Sequence, residues 1–243
     1  MKNYFSLILI VVVLPTLTIL FYLYSFAQEV DRIFLSISTF LYSIFAGFFI
    51  SRQASRFNKV RESVTKFDGL MSNIYRSSGH ISKELQSEIA VVVKHRYEQI
   101  FSSKQWNYHL THQSSTISEI HALLDAHIEE KEVTKLSNQA IGAIVKNLGA
   151  AQDTRKRLIA LSRERVPFDQ WILITFFVLM LIGTVSAIPS QAVLFPSLLK
   201  AAFIISVLSV MYILYRLNNL MYTEKIMGEE SARDVIEIIE GTK

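Results

Sequence analysis

The chain contains no cysteine, which removes disulfides, thiolate catalysis, iron–sulfur clusters and cysteine-ligated zinc from consideration. Charge is scarce as well. Acidic and basic side chains make up 19% of the 243 residues and apolar ones 51%, with mean hydropathy +0.31. The apolar residues gather in runs too long for a soluble core, which excludes a disordered, collagenous or simple soluble protein. Enzyme signatures are missing: there is no G-x-x-x-x-G-K-[ST], no G-x-G-x-x-G, no G-x-S-x-G and no H-E-x-x-H. His109 and His112 stand three apart without a carboxylate companion, and His95, His121 and His127 read as solvated or helix-surface residues. No catalytic residue, cofactor or metal site is therefore expected. Neither a repeat of fixed period nor a low-complexity tract occurs.

Four stretches are long enough to cross a hydrocarbon core of about 30 Å at 1.5 Å per residue. They run over about 4–27, 33–50, 171–188 and 192–215. The joining segments 28–32 and 189–191 are so short that each pair must form a transmembrane hairpin. The sequence thus predicts an all-α membrane protein. Its parts are a hairpin over 1–50, a helical cytoplasmic domain over 51–170, a second hairpin over 171–216 and a cytoplasmic tail with a short helix over 217–243. A signal peptide competes for the N-terminus, where Lys2 leads the apolar run and Ser25-Phe26-Ala27 mimics a cleavage site. The run is longer than a signal h-region, however, and a second span follows it at once.

Orientation follows from lysine and arginine beside the span ends. Arg52, Arg56, Lys59 and Arg61 follow the second span, and Arg155, Lys156, Arg157, Arg163 and Arg165 precede the third. The short loops carry Arg32 alone against Glu29 and Asp31. The middle domain and both termini are therefore expected in the cytoplasm of a multi-pass cell-membrane protein. The net charge of +4 serves this topology and anionic headgroups rather than nucleic acid.

The middle segment lacks the alternating Val/Ile/Thr pattern of strands and reads as helical. One helix continues from the second span to about Tyr75 and is ended by Ser77-Ser78-Gly79. A second covers about 82–101 with Ile81, Leu85, Ile89, Val92 and Val93 inward. A third covers about 115–147, with a break near Glu129–Glu132 and Ile117, Ile120, Leu124 and Ile128 inward. A fourth runs from near Asp153 toward Pro167, and Glu229–Ile239 forms a tail helix closed by Gly241.

A heptad pattern passes from the second span into the polar region without a break. Its a and d sites are Ser36, Thr39, Ser43, Ala46, Ile50, Gln53, Phe57, Val60, Val64, Phe67, Met71 and Ile74. Within the span they are small or hydroxylated; beyond it nearly all are large and apolar. In lipid, burial of apolar side chains brings no hydrophobic gain, so close contacts use small residues or polar ones facing a wet cavity; in water the same face must be apolar. Two readings stand: the seam packs against helices of its own subunit, or copies of it surround a symmetry axis. On the second reading Ser36, Thr39, Ser43, Gly47 and Ile50 line a pore. Arg52, Arg56 and Lys59 then make a basic inner mouth, and Phe57, Val60, Val64, Phe67 and Met71 join the subunits. Lys200 is the one ionisable side chain well inside a span, expected to snorkel outward past Pro196.

The layout resembles the bestrophin-like family of prokaryotic four-span membrane proteins. The likeness is carried by Phe40-Leu41-Tyr42-Ser43-Ile44-Phe45-Ala46-Gly47-Phe48, by Tyr97 followed by Trp106, and by Arg155-Lys156-Arg157-Leu158 followed by Pro167 and Trp171. Gln105 stands where the family pattern has a glutamate, and Glu229-Glu230-Ser231-Ala232 replaces a proline-rich tail. Bestrophins proper are pentameric, calcium-gated anion channels whose second span lines the pore. The resemblance thus implies a homo-oligomeric, pentameric channel for inorganic ions, with anions favoured. No acidic calcium clasp is matched, so calcium gating is not carried over. The alternative is a non-conducting membrane scaffold or sensor whose cytoplasmic helices bind a partner.

Overall fold

The computed structural model describes residues 12, 14–23, 32–103, 105, 107–108, 115–130, 134–188, 193–221 and 227–242. Among them lie eight α-helices: α1 (Leu14–Leu23), α2 (Arg32–Ser78), α3 (Lys83–Ser103), α4 (Thr116–Glu130), α5 (Lys135–Arg163), α6 (Phe168–Ala187), α7 (Leu194–Asn218) and α8 (Glu229–Glu240). No strand occurs among the described residues. The chain divides into two compact units, one drawn from 1–57 and 165–224, the other from 58–164 and 225–243.

The helices of the first unit are largely apolar on both their packed and their exposed faces. Tyr42, Ala46 and Phe49 of α2 pack with Ile174, Phe177, Val178 and Leu181 of α6 and with Val207 and Leu214 of α7. Phe21 of α1 joins Val185, Ala201 and Ile204 in a second cluster. Phe45 stacks on Phe177 at 5.3 Å between ring centroids, and the Tyr42 hydroxyl donates to the Val207 carbonyl at 3.0 Å. Phe40 and Leu179 are nonetheless 65% and 63% exposed, a surface that water would not tolerate but lipid does. Three helices of the described residues, α2, α6 and α7, are long and apolar enough to cross a membrane. Of the first span expected over 4–27, the described portion is α1, which packs on α7; its remainder and both hairpin loops lie wholly or mostly outside the described residues.

The second unit folds as a helical domain about one hydrophobic core. Phe67, Met71 and Ile74 of α2 meet Leu85, Ile89, Val93 and Tyr97 of α3, Ile120 and Leu124 of α4, Ile144, Leu148 and Ala151 of α5, and Ala232 and Val235 of α8. Local chemistry sets the element ends. Ser82 Oγ accepts the Leu85 amide at 3.0 Å to start α3, Thr134 caps α5 through the Ser137 amide, and Gly241 closes α8 at φ 72°.

Several expectations are corrected here. The reading of a helix beginning near Asp153 fails, because α5 is unbroken from Lys135 to Arg163. Its buried positions Ala140, Ile144, Leu148, Ala151, Thr154 and Leu158 keep one face inward throughout, and a continuous stripe gives the chain no reason to stop. Ile128 is 37% exposed while His127 takes the inward position at 9%. The most consequential change concerns the seam beyond the span. Phe57, Val60, Phe67 and Met71 are 8%, 0%, 3% and 0% exposed within a single chain, and Val64 is half-buried. A side chain already removed from water by its own chain has little apolar area left to bury against a copy. Phe57, Val60, Phe67 and Met71 are thus packed by their own chain.

Candidate functional site

The pore-lining candidates occupy one edge of α2 in the first unit. At 100° per residue Ser36, Thr39, Ser43, Gly47 and Ile50 fall within about 100°. Ser36, Ser43 and Gly47 are exposed, and Thr39 and Ile50 are half-buried. On one side lie the buried residues Ser38, Tyr42, Ala46 and Phe49; on the other lie exposed Ile33, Ile37, Phe40, Ile44 and Phe48. The Thr39 hydroxyl donates to Leu35 O and the Ser43 hydroxyl to Thr39 O, both at 2.8 Å. Each donor is thus satisfied within the helix while its oxygen stays available outward. Among the described residues, a Cβ added at Gly47 would meet nothing within 4 Å, so none of them uses the closeness that this glycine permits.

The basic residues following the span divide into two kinds. Arg52 and Lys59 are exposed. Arg56 is 3% exposed; its guanidinium donates to Gln53 Oε1 at 3.1 Å and to the Asn218 carbonyl at 2.9 Å. Asn218 in turn accepts the Val166 amide on its side-chain oxygen at 2.7 Å. Arg56 therefore ties α2 to the C-terminal end of α7, where exposed carbonyls and the helix dipole favour a cation. Arg56 is thus buried where an exposed basic residue was expected, and its network includes Gln53, a site of the heptad seam, and Asn218, which the sequence reading did not single out.

Lys200 reaches toward a span end as expected, yet it does not emerge into solvent. It is 6% exposed. Its ammonium donates to the Ile188 carbonyl that terminates α6 and lies 5.2 Å from the centre of the Phe21 ring. A cation inside a membrane segment is costly unless partnered, and a helix-end carbonyl together with a ring face supplies two partners.

In the second unit the polar cluster is one that sequence reasoning missed. Asp68 of α2 is 4% exposed. It accepts from the Tyr97 hydroxyl at 2.7 Å and contacts Ser231 Oγ at 2.5 Å. Burial pushes its carboxyl up to about 6, against the opposing pull of those two hydroxyls and of Arg96. Burial likewise lowers the Arg96 guanidinium and raises the Tyr97 phenol. Arg96 lies 4.5 Å over the Phe67 ring. The available signal was an acidic residue at a position flanking the buried face, between Phe67 and Met71. His109 and His112 lie outside the described residues, and among the described residues no group of three or more histidine or acidic side chains could hold a metal.

Long apolar helices with an apolar exterior define the class: a helical membrane protein. The Bestrophin-like domain family matches residues 5–220, and the chain belongs to that family. No curated protein and no solved structure matches it.

Proposed function

We propose that the protein is a homo-oligomeric ion channel of four-span subunits whose conduction path is lined by Ser36, Thr39, Ser43, Gly47 and Ile50 of α2. The supporting observation is that, among the described residues, Ser36, Ser43 and Gly47 of this small, hydroxyl-bearing strip are exposed and Thr39 and Ile50 half-buried, while Tyr42, Ala46 and Phe49 on the adjoining face of the same helix are packed. Such a strip suits water or a close copy of itself better than it suits lipid. Membership of the bestrophin-like family supports the same reading. Ile50, the one large apolar member, forms the narrow inner constriction, and exposed Arg52 and Lys59 beyond it favour anions over cations. Both termini and the second unit face the cytoplasm, on the strength of the basic residues flanking 51–170.

The test is current through purified protein in planar bilayers. Ile50→Ala widens the constriction and raises the current several-fold, whereas Gly47→Leu or Ser43→Leu reduces it. Wild-type and Ile50→Ala proteins both silent across voltages and salts would overturn conduction and leave the scaffold reading. That alternative rests on the second unit's closed core and on Val91 and Leu136, which are 68% and 59% exposed on its surface.

A further inference from the structure

We propose that Asp68 and Ser231 form a proton-operated latch that holds the tail helix α8 on the second unit under acid conditions and loosens it as pH rises. Ser231 Oγ lies 2.5 Å from Asp68 Oδ2 and 3.0 Å from the Gly228 carbonyl oxygen. A serine hydroxyl carries one hydrogen, and a carboxylate and a carbonyl can only accept. With Asp68 ionised, one of these two contacts has no proton, and two oxygens face each other inside the fold. With Asp68 protonated, Oδ2–H donates to Ser231 Oγ, whose own hydrogen donates to Gly228 O, and the chain is complete. The other carboxyl oxygen keeps the Tyr97 hydroxyl at 2.7 Å in either state.

The surroundings favour the same occupancy. Asp68 is enclosed by Tyr97 and Arg96 of α3 and by Ser231 of α8, while Arg155 of α5 acts on Arg96. Arg96 draws the carboxyl toward ionisation, but burial outweighs it and both hydroxyls together. A carboxyl held near 6 when docked and at the ordinary 3.8 when freed binds its proton more tightly in the docked form. Docking is therefore strongest below about 3.8 and weakens as pH climbs through about 6. The rest of the tail's attachment consists of Ala232 and Val235 in the core, the Lys94–Glu240 ion pair and the Tyr75 hydroxyl on the Ile239 carbonyl. None of these places a second buried carboxyl at the joint.

The absence of native cysteine permits a clean reporter. Nitroxide labels at Glu98→Cys and Glu237→Cys, both exposed, report the α3–α8 distance in the full chain reconstituted in nanodiscs. From pH 5 to pH 7.5 the ratio of released to docked tail rises about tenfold. Asp68→Asn, whose amide donates as the protonated acid does, stays docked at both pH values. Asp68→Ala removes the titrating group altogether and likewise flattens the response, which keeps the proposal testable should Asp68→Asn misfold. A ratio unchanged between the two pH values in the otherwise native chain, or a response retained in either variant, would overturn it.

Discussion

Arg56 carries its charge inside the protein, where its value is structural rather than attractive to ions. Its guanidinium satisfies the Asn218 carbonyl at the end of α7 and Gln53 Oε1 together. Removing it leaves two buried acceptors without that donor, at a cost of about 1–3 kcal/mol. Arg56→Ala should therefore lower the thermal midpoint in detergent measurably, whereas Lys59→Ala, at an exposed position a turn away, should change stability by less than about 0.5 kcal/mol. Circular dichroism melts of the two variants side by side decide between a structural arginine and a surface charge. The same distinction was hidden in the sequence, where Arg52, Arg56 and Lys59 read as one basic group. Spacing shows that Arg56 sits near the seam, but only the fold supplies the carbonyl that it faces.

At the scale of elements, α8 shows how one glycine can set the position of a helix. Gly228 sits at φ 78° just ahead of α8, and a Cβ there would lie 2.3 Å from Val64 Cγ1. Gly241 closes the helix at φ 72° with nothing within 4 Å of an added Cβ. Alanine at either position incurs the left-handed backbone cost of about 1–2 kcal/mol. At Gly228 a steric clash with the half-buried Val64 is added. Gly228→Ala should thus destabilise the protein more than Gly241→Ala, and Val64→Ala should recover part of the loss in the double variant, read from denaturant midpoints. The helix and its closing Gly241 were legible from an amphipathic run ending in glycine. Its docking onto α3 and the α2 core was not, because Val64 and Gly228 are remote in sequence. For α5 the pattern misled in the opposite direction: one helix was expected to end near Asn147 and another to begin near Asp153, a break that the buried stripe does not have.

For the molecule as a whole, orientation governs what any conduction would mean. A topology reporter fused at Lys243, or inserted within 109–114, should behave as cytoplasmic, since Arg and Lys crowd the span ends on that side. A signal from the opposite compartment would reverse the inner and outer mouths.

Composition and periodicity by themselves determined the all-helical membrane class and three of the spans, because lipid imposes length and hydropathy on each segment independently of its neighbours. They also placed a buried face on the polar half of α2, since period alone locates the stripe. What that face packs against was decided by tertiary structure: Phe67 and Met71 close a core with α3, α4, α5 and α8 of their own chain. The same holds for Asp68, an ordinary helical acid in the sequence that becomes a buried acceptor only when Tyr97 and Ser231 are folded against it. Partners distant in sequence leave no periodic mark, so burial, and the chemistry that burial creates, is settled by the fold.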